Sequence, residues 1–180
     1  MCIRDRFSNN GAVSVSSMPA GIVADFGGAL AIEGSATITG STLHSNQGTN
    51  GAALYVGSQG DVEIESTTFS GNNVTNMGGA IFSDTSVGLT VNHSTFFMNT
   101  AVVGGGAIHS TTVDGAVTNS LFSQNFGGDG AGGDGAMNVD LSQGYNAFSN
   151  NPSFDTHLTC LLYTSPSPRD ATLSRMPSSA

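Results

Sequence analysis

The chain has 180 residues, with 13 Asp and Glu against 4 Lys and Arg, which gives a formal net charge of −9. The four basic residues all lie near the two ends of the chain: Arg4, Arg6, Arg169 and Arg175. Nucleic acids and anionic membrane surfaces are bound through Lys and Arg, so the composition argues against both as partners. No apolar run approaches the length of a membrane span, so we expect no direct membrane insertion.

Both ends resemble translated DNA-sequencing adapters. Residues 1–5 are what ATG TGT ATA AGA GAC encodes, which resembles a transposon-end adapter. Residues 160–165 resemble the reverse complement of the same adapter, and residues 166–170 resemble its continuation. We therefore interpret residues 1–6 and 160–180 as adapter-derived, in which case Cys2 and Cys160 indicate nothing about disulfides.

Residues 7–26 are expected to hold the end of one repeat and a connecting segment. Phe7-Ser8-Asn9-Asn10 places a large apolar residue three positions before an Asn, and this pattern recurs along the chain. We therefore expect further coils of the same chain to be missing at both ends.

Residues 27–151 form a run of repeats marked by two anchors. The first anchor is a Gly-rich tripeptide and a Leu or Ile, at residues 27–30, 51–54, 78–81 and 105–108, with a degenerate copy at 134–137. The second anchor pairs a large apolar residue with an Asn three positions later: Leu43/Asn46, Phe69/Asn72, Phe96/Asn99, Phe122/Asn125 and Phe148/Asn151. Its copies lie 26, 27, 26 and 26 residues apart. A fixed period of this length predicts a stack of like units.

Each unit reads as β-structure. Before the second anchor, segments such as Ala36-Thr37-Ile38-Thr39 alternate apolar with polar residues, which is typical of a strand with one buried face. Flanking segments add two more short strands between Gly, Ser, Asn and Asp turns, so we predict about three strands per unit. No segment has a helical period with caps.

The predicted fold is all-β, an incomplete right-handed parallel β-helix (β-solenoid) of about five coils of about 27 residues each. Equivalent residues then stack along the axis about 4.8 Å apart. The Leu and Phe anchors form one inward column, and a second column holds Ile38, Ile64, Val91 and Val117. We expect the Asn anchors to form a ladder at a left-handed turn, and the paired glycines to serve turns or close packing.

These motifs resemble the repeats of the polymorphic outer membrane proteins of chlamydiae and related surface proteins. GGAL, GGAI, FSGN and FFMN match their Gly-Gly-Ala and Phe-x-x-Asn patterns. The resemblance implies a secreted right-handed β-helix, of the pectate-lyase-like type, that acts in adhesion at the cell surface. A host-cell or carbohydrate surface is the partner that this implies.

Asp61, Glu63 and Glu65 are the first candidates for chemistry. Period two places them on one strand face, with neighbours about 6.5 to 7 Å apart, a spacing compatible with paired glycosidase carboxylates or calcium. The same pattern places them opposite Val62 and Ile64, where a solvated face is expected. We favour the solvated face.

Metal binding has weak candidates elsewhere. Asp129 and Asp134 lie in a Gly-rich acidic loop, so calcium is a possible cofactor, although the loop lacks the period of calcium-binding Gly-Asp repeats. The chain's histidines occupy unrelated repeat positions without metal-ligand spacing: His44, His93, His109 and His157. We expect an acidic loop and ordinary surface or turn histidines.

The sequence contains no catalytic constellation, so we favour an adhesive or structural stalk at the outer cell surface. The alternative is a non-catalytic part of a secreted polysaccharide-degrading enzyme. A hydrolase fits better than a lyase, since the family resemblance implies that lyases need basic residues. Residues 152–159, where the repeat pattern is lost, are expected to be an irregular tail.

Overall fold

The computed structural model describes residues 2–3, 6–8, 27–85, 87–112, 115–128 and 146–149, and these residues form strands and turns without a helix. The strands are β1 (Cys2–Ile3), β2 (Arg6–Ser8), β3 (Leu30–Ile32), β4 (Ser35–Thr39), β5 (Thr42–His44), β6 (Gln47–Gly48), β7 (Leu54–Val56), β8 (Asp61–Glu65), β9 (Thr68–Ser70), β10 (Asn73–Val74), β11 (Ile81–Ser83), β12 (Gly88–Asn92), β13 (Thr95–Phe97), β14 (Thr100–Ala101), β15 (Ile108–Ser110), β16 (Gly115–Thr118), β17 (Leu121–Ser123), β18 (Phe126–Gly127) and β19 (Ala147–Ser149).

Successive strands of one coil join four different sheets, so each sheet collects equivalent strands of successive coils. Sheet 1 contains β3, β7, β11 and β15; sheet 2 contains β1, β4, β8, β12 and β16; sheet 3 contains β2, β5, β9, β13, β17 and β19; sheet 4 contains β6, β10, β14 and β18. Neighbouring strands within each sheet are parallel. The molecule is therefore an all-β solenoid, as the repeats predicted. The described residues make about four turns, whereas the sequence predicted about five coils, so the coil count stays a prediction. Its handedness stays a prediction.

The number of strands per coil differs from the prediction of three. Each described coil has a fourth strand of two residues, such as Asn73–Val74, directly after the Asn anchor. Two residues are too short to show a period of two, so the alternation of apolar and polar residues could not reveal this strand.

The register between coils matches the predicted columns. Ile38 pairs with Ile64, and Val91 pairs with both Ile64 and Val117. The apolar anchors pair in the order Leu43, Phe69, Phe96, Phe122 and Phe148. These backbone pairings fix which side chains share a column, because equivalent strand residues lie directly above one another.

The first strands extend the stack before β3. Phe7 pairs with Leu43, so the backbone register places it in the row of the apolar anchors. The Asn of that predicted copy lies outside the described residues. Cys2 and Ile3 pair with Thr37 and Ile38 in sheet 2. This pairing does not test the adapter origin of residues 1–6, which stays a prediction. Residues 9–26 and 150–180, including Asn151, lie outside the described residues.

The interior is one continuous apolar core. Sheets 1, 2 and 3 each contribute inward columns, and the largest fully buried side chains include Phe69, Phe96 and Phe122. A second, smaller cluster of Ala52, Val74 and Ala101 fills the corner between sheet 4 and the Gly-rich anchor. The core therefore runs along the axis without interruption through the described coils.

Close packing at that corner explains the paired glycines. Gly78 has a φ of +69°, the left-handed conformation that a side chain disfavours. A Cβ on the next residue, Gly79, would lie only 2.0 Å from the carbonyl oxygen of Gly106. The prediction of a turn and the prediction of close packing are both confirmed, one for each glycine of the pair.

Candidate functional site

The Asn ladder, defined as Asn46, Asn72, Asn99 and Asn125, is fully buried. The Oδ1 of Asn99 accepts hydrogen bonds from the backbone N–H of Asn72 at 3.1 Å and from its Nδ2 at 2.8 Å. The Nδ2 of Asn99 also donates to the carbonyl of Phe69 at 3.0 Å. The predicted ladder is confirmed, and its partners are backbone groups and other amides of the same stack.

The left-handed turn does not lie at the Asn ladder, so that part of the prediction is wrong. The positive φ belongs to the preceding residue: 54° at Ser45, 61° at Gly71, 54° at Met98 and 55° at Gln124. The ladder geometry requires each Asn side chain to reach inward to the next coil. The positive φ therefore falls on the residue before each Asn.

A second buried ladder was missed by the sequence analysis. It consists of hydroxyl side chains in the turn between sheets 2 and 3, at Ser41, Thr67, Ser94 and Ser120, and we call it the hydroxyl ladder. The backbone N–H of Ser94 donates to the Oγ of Ser120 at 3.0 Å, while the Oγ of Ser94 donates to the carbonyl of Asn92. The available signal was a Ser or Thr two residues before the anchors Leu43, Phe69, Phe96 and Phe122, a position that Asn146 takes before Phe148.

The apolar anchors stack their rings as predicted. The ring centroids of Phe69 and Phe96 are 4.8 Å apart, with 2° between the planes, and those of Phe96 and Phe122 are 4.6 Å apart at 1°. Both ladders and this stack lie inside the coil. They serve the fold, and any recognition has to use the outer surface.

The acidic row on β8 is exposed, as we favoured. Asp61, Glu63 and Glu65 point away from the buried Val62 and Ile64. Across the described residues, no group of three His, Cys, Asp or Glu side chains is placed to hold a metal ion. The calcium candidates Asp129 and Asp134 lie outside the described residues, as does His157.

The described histidines have separate surroundings. The Nδ1 of His44 lies 3.1 Å from the Oγ of Ser70, and His93 is exposed at a positive-φ turn position. His109 lies in β15, where its ring stacks on that of Phe82. Only His109 belongs to a larger arrangement of side chains.

That arrangement is an aromatic strip along the outer face of sheet 1, formed by Tyr55, Phe82 and His109. The centroids of Tyr55 and Phe82 are 5.7 Å apart, and those of Phe82 and His109 are 5.3 Å apart, with interplanar angles of 7° and 8°. Backbone pairing of β7, β11 and β15 places the three rings in one column. The rings cover one another's faces.

Carboxylates flank the strip in the turn between sheets 1 and 2. Burial raises the pKa of the Tyr55 hydroxyl above its ordinary value of 10.0, and the nearby charges of Asp84 and Glu33 raise it further. The Oδ1 of Asp84 accepts a hydrogen bond from the Thr111 hydroxyl at 2.9 Å. The Tyr55 hydroxyl therefore stays protonated and able to donate at neutral pH.

At the other end of the strip, His109 is held neutral. Burial lowers its pKa below the ordinary 6.5, and its Nδ1 is buried with no hydrogen-bond partner among the described residues. The strip thus combines aromatic rings, a phenolic donor and carboxylate acceptors without a basic group. Tyr has one apolar end and one polar end, which suits a binding surface. Tyr55 is itself buried, with 9% of its surface exposed, so Phe82 and His109 are the half-buried members through which the strip reaches the outer surface.

Comparison with protein-family models, with curated proteins and with solved structures gave no match. The fold therefore defines the class of this protein, an all-β parallel solenoid built from stacked coils. In the part of the chain that the structure describes, no helix is long and apolar enough to cross a membrane.

Proposed function

We propose that these coils form the rigid stalk of an adhesive protein at the outer cell surface. The observation that supports this most is the unbroken register of the four sheets, in which each pairing joins equivalent residues of neighbouring coils. Repeats of this kind hold their ends at a fixed separation, because each coil contacts only its neighbours and adds about 4.8 Å to the rod.

The interior supports a mechanical role for the coils. Asn72 and Asn99 each tie their own coil to both neighbouring coils through buried side-chain hydrogen bonds. Buried amide networks of this kind are stable only when they are satisfied, and here they are continuous along the axis. The exposed acidic row of β8 and the half-buried Phe82 and His109 are the groups through which a host-cell or carbohydrate surface would be contacted.

Resequencing the parent gene from source DNA, with primers inside codons 27–151, tests the proposal. We expect an open reading frame that continues into more coils, with an export signal upstream and a surface anchor downstream. Codons for residues 1–6 and 160–180 found intact in the genome would show that the adapter interpretation is wrong. A reading frame without export signal or anchor would contradict the cell-surface proposal.

A second candidate is a non-catalytic part of a polysaccharide-degrading hydrolase. The outward carboxylates of β8, with Glu33 in the preceding coil and Asp84 in the following coil, are compatible with such an enzyme, since hydrolases need only carboxylates. Resequencing discriminates here too, because this alternative requires coils with long inserted loops carrying clustered Asp or Glu. Release of reducing ends from acidic and neutral polysaccharides by the full-length product would establish it.

A further inference from the structure

From β5 to β18, the outer faces of sheets 3 and 4 carry no Asp, Glu, Lys or Arg. The one charged residue of these two sheets among the described residues is Arg6, in the edge strand β2. Their outward positions from β5 to β18 hold Thr, Ser, Gln, Asn, His or apolar residues. We call the outer surface of these two sheets and the turn between them the neutral face. On a chain of net charge −9, a face that spans two of the four sheets without a carboxylate is a distinct feature.

Large apolar side chains are exposed on one part of the neutral face. Phe97 and Leu121 lie on sheet 3, Met98 in the turn, Phe126 on sheet 4, and Val102 just after β14. Each of these residues has 39 to 60% of its surface exposed. The register brings these residues close together. Leu121 pairs with Thr95, which lies two residues before Phe97 on the same face of β13. Phe126 pairs with Thr100, which lies two residues before Val102.

This apolar patch is confined to the third and fourth coils. In the second coil, the positions equivalent to Leu121 and Phe97 are Thr68 and Ser70, and Asn73 stands at the position of Phe126. The polar residues there show that the fold does not require apolar side chains at these outward positions. The exposed apolar side chains of the patch are therefore not explained by a requirement of the fold.

The carboxylates that the structure describes lie on the opposite side of the coil. Asp61, Glu63 and Glu65 point outward from sheet 2, and Glu33 and Asp84 lie in the turn between sheets 1 and 2. No Lys or Arg occurs between Phe7 and Thr159 to offset them. Two copies that meet through this acidic side would set carboxylates against carboxylates, which costs free energy. The neutral face offers an approach without that repulsion.

We propose that the neutral face is the interface of a homodimer, in which a two-fold axis brings the apolar patch of one copy onto that of the other. Interface cores are depleted in charged residues and enriched in aromatic residues and Met, as this patch is. A two-fold arrangement needs only one self-complementary surface. Phe97 and Phe126 are the aromatic anchors, and the Thr and Ser residues of the first two coils form the polar rim.

Sedimentation equilibrium of the full 180-residue chain tests the proposal. The variant Phe97→Ser/Leu121→Thr/Phe126→Thr introduces residue types that neighbouring coils already hold at the same positions, such as Ser70, Thr68 and Thr100. The control is Val87→Thr, because Val87 is 55% exposed but lies in the turn between sheets 1 and 2. Far-ultraviolet circular dichroism checks that each variant keeps its β-structure.

We expect a dimer whose dissociation constant rises about tenfold or more in the triple variant and is unchanged by Val87→Thr. Added salt tightens the dimer, because it screens the repulsion between two acidic chains. A wild-type chain that stays monomeric would overturn the proposal. So would a triple variant that associates as the wild type does, since association would then run through the coil ends or the acidic side.

Peroxide oxidation of Met98 gives a test that does not depend on a variant. Met98 is 52% exposed within the patch, and oxidation follows access to its sulfur. Mass spectrometry should find slower oxidation of Met98 at protein concentrations above the dissociation constant than below it, with Met77 as the internal reference. Equal rates of Met98 oxidation at all concentrations would contradict the proposed interface.

Discussion

At the scale of single residues, the Asn ladder solves a problem that every turn between parallel strands creates. The backbone N–H of each ladder residue points toward the next coil at a place where no strand continues. The Oδ1 of the next Asn accepts that N–H, as at Asn46 and Asn72 with a distance of 3.0 Å. A buried N–H without an acceptor costs about 1 to 3 kcal/mol, so each amide secures a turn as well as a contact.

Replacing Asn99 by Ala should therefore be costly. It leaves the backbone N–H of Asn72 without its acceptor and removes one donor from the carbonyl of Phe69, and we expect the free energy of unfolding to fall by about 3 kcal/mol. Asn73→Ala, on the exposed side of β10, is the matched control and should change it by less than about 0.5 kcal/mol. Urea denaturation at one fixed protein concentration measures both. Equal losses would mean that the ladder contributes nothing specific.

His109 gives the stability of the chain a pH dependence of known sign. Burial lowers its pKa in the folded chain, so the unfolded chain binds more protons near and below pH 6.5. The neutral ring of His109 therefore contributes fully to the free energy of unfolding above pH 6.5, and that contribution is lost as the pH falls below this value.

The variant His109→Phe keeps a ring on Phe82 and removes the titration. We expect the melting temperature of the wild type to fall more than that of the variant between pH 7.5 and pH 5. Thermal melts followed by circular dichroism at both pH values test this. A parallel fall in the two proteins would show that His109 is not the group responsible.

At the scale of strands, neighbouring residues of β13 divide between two roles. Phe96 is fully buried between Phe69 and Phe122, whereas Phe97, the next residue, is 39% exposed. The pleat of the strand assigns one ring to the core and the other to the neutral face. Phe96 and Phe97 therefore make quite different contributions to the free energy of unfolding, although they are the same amino acid at adjacent positions.

Truncating the two rings separates these contributions. Phe96→Ala should lower the free energy of unfolding by about 3 to 5 kcal/mol, because it leaves a cavity in the stack. Phe96→Leu should cost less, since Leu43 fills the equivalent position in the first coil. Phe97→Ala, measured in dilute solution, should change the stability of the monomer by less than about 1 kcal/mol. A Phe97→Ala loss as large as that of Phe96→Ala would contradict the assigned burial.

How far the sequence predicts this fold depends on how strictly each position repeats. The columns of Phe and Asn anchors repeat one residue type at a constant spacing, so their register followed from the sequence. The hydroxyl ladder mixes Ser and Thr, which are common in the turns of this chain, so its spacing did not stand out in the sequence. The aromatic strip joins Tyr55, Phe82 and His109, three residue types at one position, which only the backbone pairing could connect.

At the scale of the whole molecule, the coils are interchangeable units. Strand β8 pairs with β12 so that Asp61 faces Gly88 and Glu65 faces Asn92. Stability in such stacks is close to a sum of coil and interface contributions. The protein should therefore tolerate the gain or loss of whole coils better than small changes in register.

Deleting residues 62–88 removes one whole repeat and joins Asp61 to Leu89, which already follows Gly88 at that position. We expect a folded chain with reduced stability. Deleting residues 62–89 instead puts Thr90 in an inward position and turns the strand's apolar residues outward. Circular dichroism and urea denaturation should show a cooperative transition for the first deletion and none for the second. A folded product from both would refute strict register.

The Asn ladder also gives the rod a chemical direction. Asn46 donates to Asn72, Asn72 to Asn99, and Asn99 to Asn125, and each acceptor is the Oδ1 of the later residue. The side-chain amides of the ladder are therefore all oriented the same way along the axis. A coil added after the last one has to provide an acceptor, and a coil added before the first one has to provide donors. Two such rods match head to tail, whereas head-to-head joining would set like groups together. The two ends of the stack are therefore chemically different, because one end presents amide donors and the other presents amide acceptors.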